Sequence, residues 1–346
     1  MLRQRLPEAL EIEEIKQAVI PYGDVIKEGE IISGELVFPV YSFGLGAKGA
    51  RVPHIAFISG VHGLERVGTN IAISYLKTVL ELISWDKSFR FLLDRCRLLF
   101  LPLVNPVGMF HRTRSNGRGV DLMRNAPVDT QEAPLLSLVS GHRLSEKLPW
   151  YRGAEGTPME QEAQILCNFV RRELFHAPLS LTLDMHSGFG LIDRIWFPFA
   201  YTKRPFERID LMFSLKNRLN RSLPNHNYLM EPQSHYYVTH GDLWDFLYLE
   251  HLKEKERGIF LPLTLEMGSW LWIKKNPRQI FNALGIFNPM IPHRLQRTLR
   301  RHLSLLDCLH RLVASYENWI DPQTLAEKNL KEKALKYWFK DMLPTD

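Results

Sequence analysis

Four runs of near-continuous apolar residues punctuate the chain, at residues 54–59 (HIAFIS), 97–104 (RLLFLPLV), 179–185 (LSLTLDM) and 258–265 (GIFLPLTL). Runs of this length without alternation suit strands covered on both faces. Between them, residues 67–83, 159–174 and 209–223 repeat apolar positions at steps of three and four, the spacing of one helix face. Strands alternating with helices predict an α/β fold: a mostly parallel, mixed central sheet with helices on both faces. The stretch 31–53 differs, because its period-two alternation and glycines predict short edge strands and turns ahead of that core.

Beyond Asn288-Pro289-Met290-Ile291-Pro292 the pattern turns helical, with Leu295, Leu299, Leu303, Leu306, Leu309 and Val313 in one apolar stripe. The chain thus divides into a main domain at 1–290 and a helical extension at 291–346. A solitary amphipathic helix is marginal in water. The extension is therefore expected to pack on the body of its own chain, with a homo-oligomer contact as the other outlet for the stripe.

Bulk composition narrows the class. Of 346 residues, 45% are hydrophobic and 24% charged, the profile of a soluble globular protein. Cys96, Cys167 and Cys308 are far apart and odd in number, against a disulfide framework or a cysteine-built metal site. The N-terminus MLRQRLPEALEIEEIKQ places acids where a signal peptide needs an apolar stretch, and no run of about 18 apolar residues occurs. These features predict a cytoplasmic protein with no membrane partner. The net charge of +6 and pI near 9.1 raise the question of nucleic acid. The most basic cluster, residues 293–302, is interleaved with leucines at helical spacing and no nucleic-acid-binding signature accompanies it, so no such partner is expected.

Candidate chemistry lies where the predicted strands end, the edge at which open α/β sheets form ligand crevices. The first strand runs into His62-Gly63-Leu64-Glu65, the second into Asn105-Pro106 and the loop 111–125, the third into Asp184-Met185-His186-Ser187-Gly188, the fourth into Glu266-Met267-Gly268. Two imidazoles and a carboxylate, His62, Glu65 and His186, make a three-ligand zinc set that leaves a coordination position open. Spacing alone proves little, since with 13 histidines roughly one His-x-x-Glu is expected by chance. His251-Leu252-Lys253-Glu254 has the same spacing but sits in a charge-dense run that reads as a solvated helix end or loop. Glu266 follows FLPLTL, where an unpaired carboxylate would be costly, and a general base activating water is the economical role for it. In the loop, Arg124 follows the apolar Val120 and Leu122 and presents a planar fork suited to a substrate carboxylate. A second arginine, Arg114 or Arg112, is placed to stabilise an oxyanion.

In order, HGLE, NPVG, TRSNGRGVDLMRN, DMHSG, YYVTHGDLWDFLY and LTLEMG resemble the zinc carboxypeptidase family typified by carboxypeptidase A, over roughly residues 50–270. The bacterial branch that includes murein peptide amidase is especially similar. The resemblance implies one zinc per chain on His62, Glu65 and His186, with Glu266 as general base and acid. It further implies Arg114 as the oxyanion arginine, Arg124 as carboxylate anchor with Asn125 and Arg112 in the substrate-binding set, and Asp121 as the carboxylate that orients His62. Counting back from Gly241-Asp242-Leu243 places the family's mobile tyrosine at Tyr237, with Tyr236 beside it, and Trp244 near the specificity pocket. One departure is plain: the family reads Asn-Arg-Asn where this chain has Met123-Arg124-Asn125, and a thioether cannot supply the missing amide's donor.

The predicted protein is a zinc hydrolase of carboxypeptidase type acting on a peptide or peptide-like small substrate. Two other readings stand beside it. One is an N-acyl amino acid deacylase resembling aspartoacylase and succinylglutamate desuccinylase; the 121 positions from Glu65 to His186 suit the carboxypeptidase branch better. The other is a metal-free, inactive binding protein, which the complete ligand set disfavours. Neither a Gly-x-Ser-x-Gly elbow nor a Walker loop occurs.

Overall fold

The computed structural model describes residues 5–49, 51–132, 138–255, 257–321, 323 and 329–340. The parts of the predicted extension at 322, 324–328 and 341–346 lie outside the described residues. Eight strands form one mixed sheet: β1 (Gly23–Ser33), β2 (Leu36–Gly46), β3 (His54–Ser59), β4 (Arg97–Leu101), β5 (Leu179–Ser187), β6 (Arg194–Phe197), β7 (Leu229–Pro232) and β8 (Ile259–Met267). Their order is β1-β2-β4-β3-β5-β8-β6-β7. The four apolar runs are the four central strands β4-β3-β5-β8, all parallel, and antiparallel pairings join β2 and β6 to their two edges. Every residue of β3, β4 and β5 is buried, which is why these runs carry no alternation.

Connecting helices cover the sheet. They are α1 (Pro7–Val19), α2 (Arg66–Trp85), α3 (Lys87–Leu93), α4 (Pro106–His111), α5 (Gln161–Leu174), α6 (Ile209–Ser222), α7 (Leu243–His251), α8 (Trp270–Lys275), α9 (Pro292–Ala314), α10 (Glu317–Ile320) and α11 (Leu330–Trp338). The β1–β2 hairpin is longer than the edge strands read at 31–53 and begins at Gly23. Its outer strand is mostly half-exposed and carries Lys27, Glu28 and Glu30, so apolar alternation is diluted there. The second run stops at Leu101 because Pro102 cannot donate to a ladder.

Helix α9 packs on α2 and on β3 and β5, burying Leu305, Leu306, Leu309 and Val313, while Leu295, Leu299 and Leu303 are only half-buried. Its buried face also takes in two histidines: His302, whose Nδ1 lies 2.9 Å from the Tyr228 hydroxyl, and His310, whose Nδ1 lies 3.5 Å from that of Tyr75. Helix α11 lies on α6, and Trp338 Nε1 donates to the Met230 carbonyl at 2.9 Å. The control pair His251 and Glu254 does not come together. His251 closes α7 and is buried against Phe175 and Phe260, whereas Glu254 is exposed.

Burial pushes three imidazoles down, to about 4 for His251 and His302 and about 3 for His310. They are neutral in the fold, while the unfolded chain takes up protons below about 6.5. Stability is therefore fully present above that value and is lost as pH falls from about 6.5 towards 4, by up to about 1.4 kcal/mol per pH unit for each group. His310→Asn should remove one such contribution. In thermal melts at pH 7 and pH 5, the variant's loss on acidification should be smaller than that of the wild type; an equal or larger loss would refute a neutral, proton-excluding His310.

Candidate active site

Strand β3 ends at Ser59, and Gly60 (φ 67°) turns the chain so that His62 and Glu65 stand over the carboxyl ends of the parallel strands. Gly63 is required by a close approach, since a Cβ there would sit 2.0 Å from the Gly108 carbonyl carbon at the start of α4. Glu65 precedes α2, yet its carboxylate makes no capping bond with the helix. It accepts instead from the Ser187 N–H at 2.9 Å, Oε2 lying 3.0 Å from His186 Nδ1 and Oε1 2.9 Å from His62 Nδ1. In β5 and β8, His186 and Glu266 are direct partners across the parallel pair, so both side chains leave the sheet at one point.

The predicted triad is thus one cluster: the ligand atoms of His62, Glu65 and His186 lie within 4.8 Å of one another, all buried. The two Nδ1 atoms are 3.1 Å apart. Their lone pairs cannot face each other at that distance without a proton or a cation between them. Zinc–nitrogen bonds of about 2.0–2.1 Å at a tetrahedral angle would place two ligand nitrogens roughly 3.3 Å apart, so the donor set and its spacing fit zinc.

Each imidazole is held from behind by a carboxylate. His62 Nε2 lies 3.0 Å from Asp121 Oδ1, and His186 Nε2 lies 2.7 Å from Asp184 Oδ2. The Asp184 pairing was not foreseen. Its sequence signal is the acid two residues before His186 in the same strand, since residues two apart in a strand share a face. Trp244 Nε1 donates to the same Asp184 oxygen at 3.0 Å, which makes the buried Trp244 a support for Asp184. Such carboxylate–imidazole pairs fix tautomer and ring orientation. Asp184→Asn should therefore weaken zinc affinity by about 10–100-fold, read by competition with a chromophoric chelator; an unchanged affinity would refute the orienting role.

Charge is arranged in opposition. Burial would raise the Glu65 carboxyl, but His62 and His186 outweigh it and hold it well below the usual carboxylate range. Burial disfavours a charged His186, yet Asp184 and then Glu65 hold it protonated well above its ordinary value. The cluster of protein charges is therefore built around a positive centre. Glu266 is the opposite case. Burial first, and the negative charge of Glu65 second, push it up to about 8, while the Phe189 N–H donates to its Oε1 at 3.1 Å.

Arg114 reaches the cluster, its Nε donating to Asp121 Oδ2 at 2.9 Å and its Nη1 to Glu65 Oε1 at 3.3 Å. Arg112 does not. It caps α4 in the left-handed region (φ 59°) with its side chain in solvent. Arg124 is buried, with its guanidinium 5.9 Å from the Tyr237 ring centroid and donors spent on the Val139 and Met123 carbonyls at 3.2 and 3.1 Å. Gly241 (φ 69°) lets its loop cross there, since a Cβ would meet the Arg124 carbonyl oxygen at 1.8 Å. Asn125 turns to the scaffold, donating to the Arg152 carbonyl at 2.9 Å and accepting from the Glu160 N–H at 2.6 Å. Of the two tyrosines, Tyr236 is engaged by Arg194, which donates to its hydroxyl at 3.0 Å, whereas Tyr237 faces Arg124. Phe189, Trp196 and Trp270 complete an aromatic wall beside Glu266 that sequence reading missed, because their packing partners are far apart in the chain.

Fold and site together define a metallohydrolase class. The zinc carboxypeptidase profile matches residues 26–268, and the chain belongs to that family. Similar solved structures include thrombin-activatable fibrinolysis inhibitor, at 19% identity over 88% of this chain and 71% of that one (TM-score 0.63). Its bovine form in complex with tick carboxypeptidase inhibitor aligns at 19% identity over 88% and 93% (TM-score 0.60), and carboxypeptidase A from Helicoverpa armigera at 18% over 85% and 71% (TM-score 0.57). At these identities the likeness speaks for the fold. A search among curated proteins returns no match. No helix among the described residues is long and apolar enough to cross a membrane.

Proposed function

We propose that this chain is a zinc-dependent hydrolase of carboxypeptidase type that cleaves a C-terminal or peptide-like amide bond. The observation that carries the reading is the convergence, at one end of the parallel strands, of two carboxylate-backed imidazoles and Glu65 beside a carboxyl, Glu266, that burial holds near neutral pKa. Zinc held by His62, Glu65 and His186 would supply Lewis acidity towards water and the amide carbonyl. Glu266 is fixed by the Phe189 N–H and takes the proton of the attacking water, then delivers it to the leaving nitrogen. Arg114, anchored by Asp121, presents its guanidinium to the developing oxyanion. Tyr237 covers the substrate, and Arg124 supplies positive charge to a substrate carboxylate.

One feature favours substrates unlike a free peptide C-terminus. Met123 replaces an amide donor, Asn125 is committed to the scaffold, and two Arg124 donors already bind carbonyls, so the carboxylate clamp is thin. The test is a panel of free peptides, γ-linked muropeptides and N-acyl amino acids run on zinc-loaded protein. Cleavage of peptide or γ-linked amides is expected; activity on N-acyl amino acids alone would replace the proposal by the deacylase reading. Purified protein that neither carries zinc nor gains thermal stability from it would replace both by a binding role.

A further inference from the structure

A second basin of charge lies behind the site, between α8 and the first half of α9. It is a cavity of about 240 Å³, below the roughly 300 Å³ at which drug-sized pockets begin. Lys275, Arg294, Arg297 and Arg301 line it, together with His293 and one carboxylate, Asp193. That carboxylate is committed. Its Oδ2 accepts from Arg301 Nη1 at 2.7 Å, and its Oδ1 accepts from the Gly268 N–H at 3.0 Å, two residues after Glu266. Arg294 is pinned to α8 through the carbonyls of Trp272 (3.4 Å) and Lys275 (3.2 Å), which fixes its guanidinium at the cavity wall. Among the described residues, no carboxylate lies within 4.0 Å of a charged nitrogen of Lys275, Arg294 or Arg297. The amino-terminal end of α9, a helix of 23 residues, adds its positive dipole end at the same place. Concave walls focus such a field, so like charges held together here are stabilised by an anion and destabilised without one.

We infer that this cleft is a binding site for a small phosphate-class oxyanion, distinct from the metal-ligand cluster. The separation follows from the fold: the cavity opens on the α8–α9 side, and Asp193 and Gly268 form the wall between it and the strand end bearing Glu266. The planar guanidinium fork of Arg297 suits the oxygens of a phosphoryl group, while Arg294, its Nη atoms bound to carbonyls, and Lys275 supply fixed positive charge. The same chemistry would be offered by a free phosphate ester or by a phospholipid headgroup. The cavity's small volume favours the free anion.

The experiment is calorimetric titration of the full-length protein with inorganic phosphate, against sodium chloride at matched ionic strength, in the wild type and in Arg297→Glu and Lys275→Glu. Both substituted side chains are exposed, so the variants should fold, which a thermal melt checks. Saturable phosphate binding that weakens about tenfold or more in either variant, the loss of roughly one charge-assisted contact, is the expected result. Heat that merely follows ionic strength, or phosphate affinity unchanged in both variants, overturns the site. A parallel sedimentation arm with phosphatidylglycerol vesicles separates the sources, and binding to vesicles with none to phosphate overturns the free-anion assignment.

Discussion

Glu266→Gln should lower kcat/KM by about 10²-fold or more while leaving zinc content, fold and KM nearly unchanged. The substitution conserves shape. A glutamine Oε1 still accepts the 3.1 Å bond from the Phe189 N–H, and an uncharged group in this buried place avoids the burial and the Glu65 repulsion that push the carboxyl up to about 8. What it removes is the capacity to take a proton from water and return it to the leaving nitrogen. Thermal stability of the metal-free variant should be equal to or above that of the wild type at pH 8, because no buried charge needs to form there. Measured by steady-state kinetics on a cleaved member of the substrate panel, activity within about tenfold of the wild type would refute the assignment of proton transfer to Glu266.

His186→Ala should abolish both zinc binding and hydrolysis. The physical loss is double. One of three ligand atoms disappears, and Asp184, whose Oδ2 lies 2.7 Å from the ring, is left as a buried carboxylate with the Trp244 N–H donating to that oxygen. Wild-type protein should hold about one zinc per chain after dialysis and should release protons on binding it, since a protonated His186 must give up its proton to become a ligand. Bound zinc at about 1,000-fold above its dissociation constant would add about 4 kcal/mol to stability. The variant should show neither the proton release nor the thermal gain. Stoichiometric zinc in His186→Ala, by elemental analysis, would remove His186 from the ligand set.

Much of this was legible in the chain because the sheet is parallel and buried. Strands covered on both faces cannot alternate, so HIAFIS, RLLFLPLV, LSLTLDM and GIFLPLTL announced themselves, and the polar residues that follow each run mark the crevice. The triad and Glu266 were readable for that reason: all four stand at strand ends. The outer hairpin was read short because a half-exposed strand with Lys27 and Glu30 carries a weak signal. Arg112 and Asn125 show the limit of motif reasoning. Both sit in the right loop, but Arg112 is turned out by a left-handed cap and Asn125 is consumed by the backbone of Arg152 and Glu160.

By itself, then, the sequence determined the α/β class, the parallel core and the residue types gathered at its carboxyl edge, because periodicity and burial are local consequences of chain composition. Only the tertiary structure decided which of two adjacent tyrosines faces Arg124, that Trp244 supports Asp184, that His251 is packed between Phe175 and Phe260, and that Lys275, Arg294 and Arg297 share one cavity. Each of these is a meeting of side chains from distant segments, fixed by strand order and helix packing, and no spacing along the chain encodes it.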